Sequence, residues 1–339
     1  MILLSQTPLW TAVLTALSFL IPEPAAAQTP ASPALCQCYL INGSSPQYFA
    51  NHKFFDFRDI ANPREPAPIN DRNASTNAPV THPYFTSPNF TTTWSIQNWV
   101  DTRGPLYNTY SKNEVYIGRN ADVGNASSRT ALTLRTYRHR PGNFQSSAEV
   151  QSVSPDYRFL SVRMHSRTRG APGAVAAMFT YRGGGAGADD VQEADMEIRT
   201  SDPNNKIHYT NQPSTARGVP RPNATREVTI PGTWTSWRTH RYDWTPGLST
   251  WYVDGQPVAS NAFQAPVDPA TLLFNVWSNG GSWSGAMPPG QSAQMQIQWI
   301  ELIYNNTAEP PRFARCAKVC SLDLGTEPGV PSLVGSSGP

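Results

Sequence analysis

The chain contains 339 residues, which is enough for one large all-β domain or two small domains. Only 15% of its residues are charged, whereas globular proteins average roughly 25%, and it is rich in Pro (32) and Trp (10). The net charge of +2 is too small and scattered for electrostatic binding of nucleic acid, so that class of function is excluded. The composition favours a β protein with many turns and many aromatic side chains.

The N-terminal residues predict a secretory signal peptide spanning residues 1–27. An apolar run at residues 9–21 precedes the small residues 25–27, which form an A-x-A cleavage site. No Lys or Arg precedes the run, which departs from the usual signal-peptide pattern. The run is too short to span a bilayer, which takes about 20 residues. We therefore expect cleavage after Ala27, an extracellular location and no membrane partner.

Six N-x-S/T sequons are consistent with a glycosylated protein of the secretory route, although sequence alone does not show which are occupied. They are Asn42, Asn73, Asn89, Asn125, Asn223 and Asn305.

The cysteines predict two disulfides that join the ends of the domain. Cys36 and Cys38 lie near the start of the chain, and Cys316 and Cys320 lie near its end. A bridge between Cys36 and Cys38 would close a strained ring, so we expect each of them to pair with one C-terminal cysteine. A four-cysteine metal site is the alternative, and an oxidising compartment disfavours it.

Short alternating segments separated by turn residues indicate an all-β sandwich. Residues 52–58 alternate as an early strand, residues 115–118 and 130–135 as strands with one wet face, and the alternation recurs up to residues 294–303. Residues 61–90 are expected to form a long loop. No composition break divides the chain. We expect a single domain at residues 28–320, with its core at about 150–305 and a flexible, polar tail at 321–339.

The segment Glu193-Ala-Asp-Met-Glu197 places three carboxylates at every second position. On a β-strand these side chains share one face, while the apolar residues between them point into a core. Like charges aligned in this way repel each other, so folding gives no reason to collect them. If both Glu side chains lean inward, their carboxyls lie about 5 Å apart, which is the separation that a retaining glycosidase uses. A solvated acidic face is the alternative.

The chain resembles glycoside hydrolase family 16 from about residue 157 to residue 304. The acidic triplet is similar to the family's catalytic strand in its shorter form, and residues 177–181 resemble the strand before it. Residues 157–164, 240–255 and 273–277 resemble the strand that opens the catalytic core, a downstream hairpin and a cleft strand. The resemblance implies an all-β jelly-roll sandwich of two antiparallel sheets, with the acids in a concave substrate cleft.

The mechanism and the resemblance together assign roles to the three acids. Glu193 is expected to be the nucleophile, and Glu197 the residue that protonates the leaving oxygen and later deprotonates the acceptor. Asp195 would hydrogen-bond a neighbouring Glu and tune its ionisation. Crowding of three carboxyls in a cleft raises at least one pKa, so that the acid stays protonated near neutral pH.

Aromatic and amide side chains around the triplet are candidates for binding sugar, because sugar rings stack their apolar faces on aromatic rings. Core packing is the alternative for any single aromatic residue, and we expect it for Trp244 and Trp251. The candidates are Phe179, Tyr181, Tyr209, Asn211, Asn275, Trp277 and Trp283.

The sequence therefore predicts a secreted, monomeric retaining hydrolase that cleaves β-glucan with β-1,3 or mixed β-1,3/1,4 linkages. One alternative is a cell-wall transglycosylase with the same carboxylates, which the absence of a C-terminal anchor disfavours. The other is a glycan-binding jelly roll without turnover. The six His residues show no spacing typical of metal ligands, so we expect no metal and no cofactor. A structural calcium ion occurs in some family members, but no residues here locate one.

Overall fold

The computed structural model describes residues 29–43, 46–122, 127–140, 143–184, 190–310 and 316–335. The predicted signal peptide, the sequon Asn125, residues 185–189 of the glycine-rich connection before the acids and residues 336–339 of the predicted tail lie outside the described residues.

The first half of the chain contains ten strands and several short helices. The predicted loop at residues 61–90 holds both α-helices, and the side chain of Asp71 caps the first of them by accepting a hydrogen bond from the backbone N–H of Ala74 (2.7 Å). The 3₁₀ helices are Pro33–Leu35, Pro83–Thr86 and Lys112–Glu114, and the other elements are β1 (Thr29–Pro30), β2 (Cys38–Ile41), β3 (Gln47–Phe49), β4 (Asn51–Asp56), α1 (Arg72–Thr76), α2 (Pro88–Thr91), β5 (Trp94–Ile96), β6 (Val100–Asp101), β7 (Tyr107–Tyr110), β8 (Val115–Arg119), β9 (Thr130–Arg138) and β10 (Phe144–Ser152).

The second half is built from strands joined by turns. They are β11 (Tyr157–Gly170), β12 (Val175–Arg182), β13 (Gln192–Arg199), β14 (Lys206–Gln212), β15 (Thr215–Ala216), β16 (Val219–Pro220), β17 (Thr225–Thr229), β18 (Arg238–Thr245), β19 (Leu248–Val253), β20 (Gln256–Asn261), β21 (Thr271–Trp277), β22 (Ser292–Asn306), β23 (Val319–Ser321) and β24 (Ser332–Gly335). The prediction of an all-β fold is confirmed.

Two large sheets pack face to face. The cleft sheet has the strand order β5-β10-β21-β12-β13-β14-β17, and its pairs are antiparallel. The outer sheet runs β20-β19-β18-β11-β22, and β22 then pairs with both β4 and β9. Strand β10 belongs to both sheets, because it pairs with β9 near its start and with β21 near its end. The cleft sheet therefore continues into the outer sheet, as in a jelly roll.

The hydrophobic core lies between these two sheets. Met178, Met196 and Phe274 enter it from the cleft sheet, and each is almost fully buried. Trp244 and Trp251 enter from the outer sheet and are completely buried, which agrees with the core position expected for them. Full burial of a large apolar side chain stabilises the fold by roughly 1.5–3 kcal/mol. This packing fixes which side of each cleft-sheet strand faces away from the core.

A third, five-stranded sheet joins the two ends of the chain and has the order β1-β24-β23-β2-β3. Disulfides connect Cys36 to Cys320 and Cys38 to Cys316, with Cα–Cα distances of 5.7 and 5.8 Å. Each N-terminal cysteine is therefore paired with a C-terminal one, as the sequence predicted. In the chain-entropy model, closing a loop of this length stabilises the fold by about 4–5 kcal/mol. We call this element the terminal sheet.

The flexible tail expected at residues 321–339 is a wrong prediction over the residues that the structure describes. Strand β24 pairs with β1 and β23, so this segment completes the terminal sheet. Asp323 accepts hydrogen bonds from the guanidinium groups of Arg163 and Arg241 on the outer sheet. The low hydrophobicity of the segment suggested a mobile chain, whereas backbone pairing and ion pairs hold it in place.

The sequons differ in their exposure. Asn42, Asn73, Asn89 and Asn223 are exposed, as a glycosylation site requires. Asn305 is buried: its side chain accepts from the backbone N–H of Ala50 (3.0 Å) and donates to the carbonyl oxygen of Tyr48 (3.1 Å). This is a correction to the sequence prediction, because an amide nitrogen used in this way is closed to glycosylation. Among the described residues, no helix is long and apolar enough to cross a membrane.

Candidate active site

The three acids of β13 share one face of the cleft sheet and line a groove of about 790 Å³. Ala194 and Met196, which alternate with them, are buried on the opposite face within the core. The alternation of the strand therefore gives the arrangement expected from the sequence. Burial of the two apolar residues holds the acids against the groove, although their charges repel each other.

Asp195 is the most buried of the three acids, with 3% of its surface exposed. Its Oδ2 accepts a hydrogen bond from Nε2 of Gln212 (3.1 Å), and its carboxyl is hydrogen-bonded to Glu193. Burial and the neighbouring charge of Glu193 raise the pKa of Asp195 well above its usual value. Asp195 is therefore the protonated partner, and it donates its proton to a carboxylate oxygen of Glu193.

Glu193 and Glu197 also have raised pKa values. Burial raises the pKa of Glu193 to about 7, the charge of Glu197 adds to this, and the hydrogen bond from Asp195 opposes it. Burial raises the pKa of Glu197 to about 8, and repulsion from Asp195 when that carboxyl is ionised adds to this, while the Trp283 hydrogen bond and the charge of Arg199 oppose it. Both pKa values therefore lie near neutrality. Near neutral pH the site can hold one carboxylate and one carboxylic acid, which is the combination that general acid catalysis needs.

Strand β12 brings two of the predicted sugar-binding aromatics beside the acids. Phe179 lies opposite Asp195 in the antiparallel ladder, and Tyr181 lies opposite Glu193. Both side chains line the groove, and Tyr181 is 39% exposed. These aromatic rings flank the Glu193 end of the triplet.

Strand β21 lies on the other side of β12 and adds two more predicted residues. Asn275 and Trp277 line the groove, and Trp277 keeps part of its surface open to it. Asn275 also donates a hydrogen bond from Nδ2 to Oε2 of Glu149 (3.3 Å). The amide and the indole thus extend the groove from the acids across β12 and β21.

Trp283 reaches the acids from the loop that follows β21. Its indole Nε1 donates a hydrogen bond to Oε1 of Glu197 (3.1 Å), and 38% of the residue is exposed. The sequence predicts a cleft position for this tryptophan, and the structure places it directly against one of the acids.

Tyr209 and Asn211 do not reach the groove, so their expected role in binding sugar is a wrong prediction. In the ladder between β13 and β14, Tyr209 lies opposite Met196 and Asn211 lies opposite Ala194, so both share the core-facing side. Tyr209 is 1% exposed, and its ring lies 5.3 Å from that of Trp251. Asn211 is fully buried and donates to two backbone carbonyl oxygens. The residues of β14 on the cleft side are His208, Thr210 and Gln212.

The opposite wall of the groove comes from residues that the sequence interpretation does not include. Trp99 donates from Nε1 to Oε1 of Glu149 (3.1 Å), and its ring stacks on that of Tyr110 at 4.3 Å. Burial raises the pKa of Glu149, which lies on β10 beside Asn275. The alternation of β10 was a signal that could have identified Glu149. The other lining residues on this side are Gln97, Asp101, Arg103 and Gln151.

The described residues contain no group of three or more His, Cys, Asp and Glu side chains arranged to hold a metal ion. The three acids of the groove lie in a row along one strand, with an indole and an amide as their polar neighbours. The arrangement suits proton transfer and nucleophilic attack by carboxyl groups.

The family model for "Glycosyl hydrolases family 16" matches residues 108–301, which include all the cleft-sheet strands from β10 onward. Among curated proteins, the chain is 28% identical over 138 residues to a beta-glucanase of Paenibacillus polymyxa, a match that covers 39% of this chain and 54% of that protein. It is 27% identical over 183 residues to a beta-glucanase of Bacillus subtilis (strain 168), covering 51% and 67% of the two chains. The chain thus spans about half the length of the Paenibacillus relative.

Two solved structures have the same fold. A prokaryotic beta-1,3-1,4-glucanase (lichenase) from a mouse hindgut metagenome superposes with a TM-score of 0.52 at 15% identity, covering 75% of this chain and 99% of that one. The catalytic domain of an endo-1,3-beta-glucanase (laminarinase) from Thermotoga petrophila RKU-1 gives a TM-score of 0.50 at 15% identity, with coverages of 69% and 96%. Since the family model covers more than half of the sequence, this chain belongs to glycosyl hydrolase family 16.

Proposed function

We propose that this protein is an endo-acting glycoside hydrolase that cleaves β-1,3- or mixed β-1,3/1,4-glucan by double displacement with retention. The observation that carries this proposal is the alignment of Glu193, Asp195 and Glu197 along one face of a groove, with two of their pKa values near neutrality. The proposal is further supported by family membership and by relatives that are beta-glucanases.

In the first step, the carboxylate of Glu193 attacks the anomeric carbon of the sugar. The bond from that carbon to the glycosidic oxygen breaks, and Glu197 gives its proton to the departing oxygen. In the second step, Glu197 removes a proton from water, the resulting oxygen attacks the anomeric carbon, and the ester bond to Glu193 breaks. Each step leaves Glu197 in the protonation state that the next step needs.

Asp195 serves the nucleophile in this proposal. Its proton stabilises the carboxylate form of Glu193 and so opposes the rise in pKa that burial imposes on that residue. When Glu193 leaves the sugar at the end of the cycle, the same hydrogen bond stabilises the returning negative charge.

The shape and lining of the groove support a polysaccharide substrate. The groove extends across β13, β12, β21 and β10, which allows a chain to lie through it. Phe179, Tyr181 and Trp277 offer aromatic surfaces for sugar faces, while Asn275 offers an amide for hydroxyl groups. An open groove of this kind suits cleavage within a chain.

We further propose that the protein acts as a glycosylated, extracellular monomer whose partner is a cell-wall β-glucan. Two disulfides support an oxidising compartment, and four exposed sequons are compatible with glycosylation.

The test is incubation of the full-length protein with laminarin, lichenan and chito-oligosaccharides, with products identified by mass and the anomeric configuration followed by NMR. We expect cleavage of laminarin, lichenan or both, with the β-anomer formed first. Glu193→Gln should abolish cleavage, whereas the control Glu309→Gln, at an exposed position, should retain it. Initial formation of the α-anomer would contradict retention. Products that are mostly lengthened, in the presence of a labelled oligosaccharide acceptor, would instead favour the transglycosylase.

A further inference from the structure

We propose that Trp283 is a positioning residue for Glu197: its indole N–H determines which of the two carboxyl oxygens carries the catalytic proton. This inference rests on the proposed function, because it assigns to Trp283 a part in the proton transfer of that reaction. It differs from the sugar-stacking role that the sequence suggests for the same residue.

The hydrogen bond between the two residues has only one possible polarity. An indole N–H donates and has no lone pair to accept with, so Oε1 of Glu197 accepts the bond at 3.1 Å. A proton on Oε1 would compete with the indole for that oxygen. The acid proton of Glu197 therefore resides on Oε2, and the position of the indole determines where Oε2 points.

The indole ring is itself held by neighbours from two strands. The guanidinium of Arg199, on β13, lies 4.6 Å from the ring centroid, a cation–π contact. The ring of His208, on β14, meets the indole edge-on at 5.1 Å and 69°. His208 is fixed in turn by a hydrogen bond from its Nε2 to Oδ2 of Asp202 (2.6 Å). The same carboxylate oxygen lies 3.9 Å from Nε of Arg199.

The need for this support follows from the loop that carries Trp283. Gly280 and Gly285 flank it with φ angles of +73° and +78°, in the region that favours glycine. Trp283 is not part of a strand, so backbone pairing does not orient its side chain as it orients the side chains of β13 and β14. The contacts with Arg199 and His208 therefore orient the indole ring, as strand pairing orients the three acids.

The charged and titratable groups around Glu197 determine how its pKa changes when the hydrogen bond from Trp283 is lost. Glu193, Asp195 and Arg199 face it from its own strand, and the imidazole of His208 lies opposite it on β14. On the β12 side it meets Ala177 and then Asn275, neither of which is charged. The indole N–H stabilises the carboxylate form, so its removal should raise the pKa of Glu197 beyond about 8.

Trp283→Phe removes the N–H but keeps an aromatic ring, and the position is exposed enough for the fold to tolerate the change. We would measure kcat/KM on the glucan that the wild type cleaves and on the 2,4-dinitrophenyl glycoside of a matching oligosaccharide, whose leaving group needs no proton. On the glucan we expect a loss of about 10- to 100-fold, a part of the roughly 10²–10⁴-fold that general acid catalysis supplies. On the dinitrophenyl glycoside we expect a change of less than about twofold.

The pH profile gives an independent readout. The alkaline limb of kcat/KM on glucan should move to higher pH by about one unit in Trp283→Phe, since a hydrogen bond to a charged group is worth about that much. Trp277→Phe is the matched control: this indole also lines the groove, but the hydrogen bond to Glu197 comes from Trp283, so the change should raise KM and leave the alkaline limb in place.

Equal losses on both substrates, or an unmoved alkaline limb in a folded Trp283→Phe variant, would overturn the positioning role while leaving the proposed function intact. A wild-type protein that cleaves neither the glucans nor their dinitrophenyl glycosides would overturn the proposed function, and this inference with it.

Discussion

The acidic strand and the interface of the terminal sheet both concentrate charge, with opposite effects on the carboxyl groups. Burial alone would raise the pKa of Asp323. The guanidinium groups of Arg163 and Arg241 stabilise its carboxylate form more strongly, so its pKa lies below the usual value. Around Asp195, none of the cationic side chains that the structure describes is hydrogen-bonded to the acids, and all three pKa values are raised. The first arrangement stabilises the fold, and the second costs stability while it supplies groups that exchange protons near neutral pH.

The largest effect should come from Glu193→Gln. We expect kcat/KM on glucan to fall on the order of 10⁴-fold or more, because an amide cannot act as the nucleophile. The same change should raise Tm by about 2 °C at pH 8, since it removes one of the crowded charges. Calorimetry together with an activity assay checks both outcomes. A variant that loses Tm and activity together would show that Glu193 contributes to the fold, as Asp323 does.

Asp323→Asn should give the reverse result. Removal of the carboxylate leaves Arg163 and Arg241 with one fewer partner at a mostly buried interface, so we expect the free energy of unfolding to fall by about 2–3 kcal/mol. Because Asp323 lies between β23 and β24 and does not line the groove, kcat/KM should stay unchanged. Denaturant titration provides the measurement. The control Asp59→Asn disrupts an exposed ion pair with Arg129 and should cost less than about 1 kcal/mol.

The two clusters should also affect stability in different pH windows. The pKa of Asp323 is lowered from 3.8, so its contribution is complete above that pH and is lost as the pH falls through the folded value. Glu193 has a pKa raised from 4.5 to about 7, so its protonated form favours the fold, and that contribution is lost as the pH rises from about 4.5 to 7. Unfolding free energies measured from pH 3 to 8 should therefore decline at both ends.

Glu193→Gln should make the decline above pH 5 less steep and leave the decline below pH 4 unchanged, whereas Asp323→Asn should do the reverse; the part of the alkaline decline due to Asp195 and Glu197 should remain. Identical pH profiles for the wild type and Glu193→Gln between pH 5 and 8 would contradict the raised pKa of Glu193.

The smallest effect should come from Trp277→Ala. Loss of one aromatic surface from the groove should weaken binding of polysaccharide by about 5- to 10-fold, which corresponds to roughly 1 kcal/mol. Affinity electrophoresis on the active glucan measures this change, with Tm as the control for folding. A large fall in Tm with unchanged affinity would assign Trp277 to the core instead of the groove.

The acidic triplet could be predicted from the sequence because the alternation of a single strand is a local property. Residues two apart share a face whatever the rest of the chain does, so Glu193, Asp195 and Glu197 needed no knowledge of their neighbours. The likeness of residues 177–181 and 273–277 to known strands placed Phe179 and Asn275 in the same way.

The positions of Tyr209 and Asn211 depend on the register between β14 and β13, which no local pattern fixes. A shift of one residue would exchange the two faces of β14. In the observed register, Tyr209 and Asn211 both face the core. Trp99 and Glu149 are brought to the groove by pairings between distant strands. The flexible tail was a wrong prediction for a similar reason. Its segment is held by hydrogen bonds from Arg163 and Arg241 to Asp323, and both arginines are remote in the sequence.

The pairing of the chain ends has a consequence for biosynthesis. The cysteines of each disulfide are separated by 284 and 278 residues, and β1 has its partner in β24. A ribosome adds about 5–20 residues per second, so β1 and β2 wait roughly 15–60 s for their partners to be made. The terminal sheet thus cannot assemble until its C-terminal strands have been made, and formation of its two disulfides reports that the chain has been synthesised through Cys320 and brought together with Cys36 and Cys38.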